Sequence, residues 1–282
     1  MKKGVKAREK YLDIMSYILL CIGLCIWVFP YLWMIFTSLK IPAEIYARAF
    51  PTTLTLGNYI SISTELSFYG FNFYKGLLNS LLVAGVCTAS VVLFSLITGY
   101  ALSRLKFRGR KSIYSFVLLQ LFFPGVIFII PQFLIVIYLG LMNTYFGMMV
   151  TFLMGAFGVF LYAQFFRTVP QDLIDAARID GCSESGVLRR IMVPLSKPVT
   201  ATVALFTFMG VWNELLWPLL VCKEPGKMVL SVMLAAFTKG GYGGDLGVTM
   251  AGTTILTLPV IIIFIVFRKY FLGGIVMTTG LK

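Results

Sequence analysis

Few side chains in this sequence are placed to do chemistry. Histidine is absent, which removes the commonest neutral metal ligand and general base. The 11 Asp and Glu residues are scattered along 282 positions, with no two carboxylates set as an acid and base pair. Cys21 and Cys25 lie one helical turn apart in one apolar run, Cys87 lies in another, and Cys182 and Cys222 fall in or beside different loops. Neither a disulfide framework nor a metal-ligand spacing emerges. No catalytic, cofactor-binding or metal-ligating residue is therefore expected. The remaining candidates are polar groups in apolar surroundings: Asn79, Gln120, Gln132, Asn213 and Glu214, with Trp212 and Trp217 flanking the last pair. Each polar group costs free energy in lipid unless it faces a cavity or a neighbouring helix. They can hydrogen-bond a polar solute, and the tryptophans can stack on the apolar face of a ring. Two plainer roles compete, hydrogen bonds between helices for the amides and interfacial anchoring for the tryptophans.

The elements that hold these groups follow from composition. With 59% hydrophobic and 12% charged residues and a mean hydropathy of +0.91, the chain carries more apolar surface than a soluble domain can bury, so its solvent is lipid. Charge-free stretches run over Ile14 to Leu39, Gly76 to Ser103, Ser112 to Phe166 and Leu246 to Phe267. A helix rises about 1.5 Å per residue through a hydrocarbon core about 30 Å thick, so roughly twenty residues make one crossing. The stretch 112–166 must then hold two crossings, with a reversal at Gly140 to Thr144, where Gly and Asn suit a turn. The expected fold is all-α, with six transmembrane helices at about 14–39, 77–103, 112–138, 144–166, 199–221 and 246–267 forming a domain over 14–267. Pro124, Pro131, Pro218 and Pro259 mark candidate kinks. The first run follows Lys2, Lys3, Lys6, Arg8 and Lys10 as a signal peptide would, but it exceeds a signal's apolar region and carries Trp27, Tyr31 and Trp33 near its far end. It reads as a retained span.

Orientation follows from charge. Six crossings put the tails 1–13 and 268–282 on one side together with loops 104–111 and 167–198, and 18 of the 24 Lys and Arg residues lie there. The rule that basic loops stay inside makes both tails cytoplasmic. The same distribution accounts for the net charge of +13 as short patches flanking spans, held against anionic lipid, and leaves no role for nucleic acid.

The cytoplasmic loop 167–198 is long and patterned. Val169-Pro170-Gln171-Asp172 suits a helix start, since Pro tolerates the first turn and Asp172 complements the dipole. Leu173, Ala176, Ala177 and Ile179 supply an apolar stripe, and Gly181 stands where a helix end wants a left-handed residue. Ser183 can cap a second helix over about 184–192 that stops before Pro194. A compact helix-turn-helix results. The competing reading is an amphipathic hairpin lying idle on the headgroups.

Asp175-Ala176-Ala177, three residues, Gly181, nine residues, Ile191, one residue and Val193-Pro194 resemble the EAA loop of binding-protein-dependent ABC importer permeases, whose pattern reads Glu-Ala-Ala, x3, Gly, x9, Ile-x-Leu-Pro. Asp175 for Glu and Val193 for Leu depart conservatively. Asn79-Ser80-Leu81, Tyr100 to Arg104, Phe107 to Arg110, Ile179-Asp180-Gly181 and Trp212-Asn213-Glu214 resemble the carbohydrate branch of that family, the maltose and glycerol-phosphate type. The resemblance implies a complex of two homologous six-helix permeases, two cytoplasmic ABC ATPases and an external sugar-binding protein. It places ATPase coupling on Asp175, Ala176, Ala177, Asp180, Gly181, Ile191, Val193 and Pro194. The chain has no Gly-x-x-x-x-Gly-Lys-Ser/Thr loop, so ATP is a partner's ligand. A sugar path would run past Asn79, Gln120, Gln132, Trp212, Asn213 and Glu214. In the resembling maltose-type permeases the equivalent of the external loop 222–245 reaches into the binding protein, which implies contacts from Gly240, Gly241, Tyr242, Gly243 and Gly244; a plain Gly-rich connector is the alternative. The rival class is a secondary carrier or channel. Ion-coupled carriers place ionisable residues at mid-membrane, whereas Glu214 stands alone within its span.

Overall fold

The computed structural model describes residues 2–68, 70–239 and 245–279, and the described residues form helices and turns without a strand. Three helices are long and apolar enough to cross a membrane unbroken: α1 (Lys2–Ser38), α3 (Phe73–Arg104) and the last, α14 (Leu246–Thr279). Three bent helix pairs bring the number to as many as six if each is one crossing: Arg110–Gln120 with Gly125–Tyr138, Tyr145–Phe152 with Ala156–Thr168, and Glu184–Leu195 with Lys197–Trp212. The chain divides into two units, 1–69 with 234–257, and 70–233 with 258–282.

In the first unit, α1 is almost wholly exposed along its apolar length, as a helix bathed in lipid would be. Its C-terminal carbonyls are collected by α2 (Gly57–Phe68), where Asn58 Nδ2 donates to the Ser38 and Lys40 carbonyls at 2.9 Å each. The first turns of α14 rest on the same helix. A Cβ on Gly252 would come within 3.1 Å of Ile62 Cδ1, so glycine eases this approach.

The second unit is organised on α3. Its buried face includes Gly76, Asn79, Ser80, Val83, Ala84, Cys87, Val91, Ser95, Gly99 and Tyr100, a helical stripe of mostly small residues. Small residues let backbones approach closely, which is how helices associate where hydrophobicity supplies no drive. Against this stripe packs the fourth span, α6 (Tyr145–Met149) followed by α7 (Ala156–Thr168), bent by 43° where a single helix over 144–166 is expected. A Cβ on Gly99 would lie 2.6 Å from Tyr162 Cβ and 3.0 Å from the Ala163 nitrogen. The bend at 153–155 frees carbonyls that the apolar phase cannot satisfy, and hydroxyls on α3 do so: Ser90 Oγ donates to Leu153 O (2.8 Å) and Ser95 Oγ to Gly155 O (3.3 Å).

The third span breaks too. Helix α4 (Arg110–Gln120) ends before Pro124, and α5 (Ile129–Tyr138) follows a 3₁₀ turn with a change of direction of 99°. Pro124 has no N–H to give the Gln120 carbonyl, while Pro131 sits harmlessly in the first turn of α5. The expected reversal follows, with Gly140 at φ +66° and Asn143 at φ +57°. The fifth span comprises α11 (Lys197–Trp212) and α12 (Leu216–Val221), separated at 213–215. Pro218 cannot donate to Glu214 O, and Ser231 Oγ donates instead at 3.2 Å. Ser231 belongs to α13 (Leu230–Lys239), and Pro259 is carried inside α14 without a break. The glycine cluster at 240–244 lies outside the described residues.

Gly99→Val is expected to lower the melting temperature of the purified protein, since overpacking costs about 1–3 kcal/mol. Gly85→Ala on the same helix, where a Cβ meets nothing within 4 Å, is expected to leave it unchanged or raise it.

Candidate functional site

Two places in the second unit gather the residues singled out above. The first is the hairpin after α7. Helix α8 (Gln171–Ile179) starts beside Pro170, Gly181 turns at φ +80°, and Ser183 Oγ accepts from Gly186 N (3.3 Å) to cap α9 (Glu184–Val187). The second helix does not stop before Pro194. It widens to a π turn at Leu188–Met192 and runs through Pro194 in α10 (Val193–Leu195) before Ser196 breaks it. The wider turn moves the carbonyl that a proline ring would otherwise strike.

The inward stripe of the hairpin also differs from expectation. Ile174, Ala177, Val187 and Met192 are buried against Tyr100, Tyr162 and Phe166, whereas Leu173, Ala176 and Ile179 face outward, Ile179 being 86% exposed. Ala177 therefore serves the core and Ala176 the surface. Asp175, Asp180, Val193 and Pro194 are exposed, and Ile191 is half-buried.

Polar contacts tie this hairpin to the end of α3. Tyr100 Oη donates to Glu184 Oε2 (2.7 Å), and Arg178 donates to Glu184 Oε1 from Nε (3.0 Å) and Nη2 (2.6 Å). Arg178 Nη1 and Gln171 Nε2 converge on Asp175 Oδ1 at 3.2 and 3.0 Å. Arg104, the last residue of α3, donates to the Phe166 and Val169 carbonyls at the end of α7, and to Gln171 Oε1 (2.9 Å). The Tyr100 hydroxyl is the largest influence on the Glu184 carboxyl and holds it below its ordinary 4.5, partial burial opposes this, and Arg178 lowers it further.

The second place lies where the broken spans meet. A cavity of about 460 Å3 is lined by Gln120, Gln132, Thr151, Phe152, Glu214 and Trp217, among others. A neighbouring one of about 350 Å3 shares Thr151, Phe152 and Glu214, and adds Met154, Gly155 and Gly210. All three helix breaks contribute walls. Glu214 Oε1 accepts from Trp217 N (3.1 Å), and the Trp217 indole donates to Gly147 O (3.2 Å).

The arrangement, an apolar bundle with a cavity at its helix breaks and a patterned polar hairpin locked to one end, has counterparts. Residues 91–275 match the family described as binding-protein-dependent transport system inner membrane component. The chain belongs to this family. The permease is 35% identical over 253 residues to the arabinooligosaccharides transport system permease protein of Halalkalibacterium halodurans, covering 88% of this chain and 89% of that one. It is 30% identical to the diacetylchitobiose uptake system permease protein of Streptomyces coelicolor, covering 98% and 91%. Its fold resembles that of a chain in the crystal structure of a bacterial ABC transporter that imports the acidic polysaccharide alginate, with TM-score 0.72 at 23% identity over 93% and 97% of the two chains. Family membership sets aside the secondary carrier.

Of the residues expected to line a path, Gln120, Gln132 and Glu214 come together in the permease and three do not. Asn79 is spent on structure, donating to Gly226 O and Met228 O (3.4 and 2.9 Å) and accepting from Tyr145 Oη (2.9 Å). Trp212 is buried and stacks on Phe208 at 5.3 Å, while Asn213 is exposed and lines neither cavity. Sequence reading passed over Thr151, Ser90 and Ser95, because a lone hydroxyl in an apolar run carries no periodic signal. The one available clue was the pair of Ser90 and Ser95 on a helix otherwise rich in small apolar residues.

Replacing Tyr100 with Phe is expected to loosen the hairpin by roughly 1 kcal/mol, the worth of a hydrogen bond to a charged but partly solvated partner. Because Glu184 is depressed, its stabilisation is complete above about pH 4.5 and is lost as pH falls through its lower folded value. Melting measured from pH 6 to pH 3 should show this loss in the wild type, and Glu184→Gln should reduce it.

Proposed function

We propose that the permease forms half of the membrane path of an ATP-driven importer for a sugar or oligosaccharide, beside a second homologous permease, with two cytoplasmic ATPase subunits and an external binding protein as partners. The observation that carries this reading is the hairpin. It offers an exposed apolar ridge of Leu173, Ala176 and Ile179 beside a left-handed Gly181, and through Glu184 and Tyr100 it is bonded to the helix on which the unit is built. An ATPase gripping Asp175, Ala176, Asp180, Gly181 and Ile191 to Pro194 would carry α3 and α7 with it as a rigid body. Substrate class rests on the relatives, whose names specify arabinooligosaccharides and diacetylchitobiose.

In orientation, the hairpin and both tails take the cytoplasmic side, as the basic residues favour. Consistent with alternating loops, Arg104 and the hairpin meet at one end of α3, while Asn79, Tyr145 and loop 226–228 meet at the other.

Gly181 tests the coupling. A Cβ there meets nothing within 4 Å, so any replacement costs only the left-handed strain, about 1–2 kcal/mol. Gly181→Ala should retain most uptake, whereas Gly181→Arg should lose uptake and substrate-stimulated ATP hydrolysis together, with ATPase subunits shed on purification. Full uptake and a stoichiometric ATPase complex in Gly181→Arg would refute the docking role.

Orientation is checked by Ser185→Cys, exposed on the hairpin, in a background where the five native cysteines are replaced by serine. It should react with an impermeant thiol reagent only after the membrane is opened. Cys222 is too buried to report on the opposite side.

A further inference from the structure

The two cavities at the helix breaks have one charged lining residue between them among the described residues, Glu214. The rest of the wall is apolar or neutral, with Gln120, Gln132, Thr151 and Thr207 as the uncharged polar members. Among the described residues no Lys or Arg lines either space to balance the carboxylate. One oxygen of that carboxylate is anchored by Trp217 N, which fixes the charge at the break where both cavities meet. Beside it, the buried Thr151 Oγ1 has no hydrogen-bond partner within the chain. A buried hydroxyl left unpaired in a cavity wall is matched by a ligand that brings its own donors and acceptors.

A fixed negative charge in a low-dielectric constriction raises the local concentration of cations and lowers that of anions. An anion entering here meets repulsion with no compensating base, a repulsive element of the kind that sets specificity. We propose that Glu214 is a specificity-determining residue that excludes anionic solutes, so that this path takes uncharged or cationic saccharides and rejects glycans bearing uronate, sulfonate or phosphate. The proposal rests on the importer reading for its substrate, and on the cavity alone for its charge selectivity.

The test uses the assembled transporter in lipid nanodiscs, with native cysteines replaced by serine and a reporter cysteine in each cavity, Met154→Cys or Gln132→Cys. Its probes are a cationic and an anionic methanethiosulfonate of similar size, with rates normalised to those on a free thiol. The cationic reagent should react on the order of tenfold faster than the anionic one. Glu214→Gln should bring that ratio near one, and Glu214→Asp should keep it. A ratio near one in the wild type, a ratio unmoved by Glu214→Gln, or a reporter that does not react would overturn the filter. Saccharide accumulation by the same complex, measured with its binding protein, separates the two readings. A preserved charge ratio with no saccharide uptake would support the filter and count against the sugar importer.

Discussion

Every backbone N–H and C=O in the apolar phase must find a partner inside the protein, and the rest of this structure follows from how that is done where helices are interrupted. Prolines 124 and 218 each remove a donor, and the fourth span bends without any proline. In lipid such breaks are tolerated only where neighbouring groups collect the freed carbonyls or where the break lines a cavity. Both conditions hold here. Serines on α3 and α13 take the carbonyls of two breaks, and the three breaks together wall the cavities. The same interruptions that weaken the spans thus create a region where polar side chains can face something other than lipid.

The helix that supplies two of those serines is also the one to which the hairpin is tied. From Ser80, which receives Leu230 N, to Arg104, which gathers the end of α7, α3 places polar groups along its length while Gly99 admits α7 at close range. Displacing the hairpin would strain a charged network at one end and a tightly packed helix pair along the rest. Packed interfaces of this kind shift between discrete arrangements and do not deform gradually.

Where local rules suffice, the sequence was a good guide. Charge-free runs marked the long apolar helices, Gly181 and Ser183 marked the turn and cap, and Gly140 with Asn143 marked the reversal. The departures have tertiary causes. Gly155 is the one local mark of the break after Thr144, and what permits the break stands on another helix at Ser90 and Ser95. Which alanine of 176 and 177 faces inward depends on a docking direction set by Tyr100 and Phe166, and the apolar residues of α8 could support either face. Pro194 looked like a stop because the π turn that accommodates it has no composition of its own. Of the polar residues in the spans, Asn79 was indistinguishable by type from those that reach the cavity, since its partners are carbonyls about 150 positions away.

The serines that satisfy the breaks also set an order of assembly. A chain is made and inserted from its N-terminus. Ser90 and Ser95 are therefore already in place when Leu153 and Gly155 emerge, and the fourth span meets its partners on arrival. The fifth span is in the reverse situation, because Glu214 precedes Ser231 by 17 residues. The partner of its interrupted carbonyl is synthesised only with the first turn of α13. The partners of the fourth-span bend thus precede it in the chain, whereas the partner of the fifth-span break follows it.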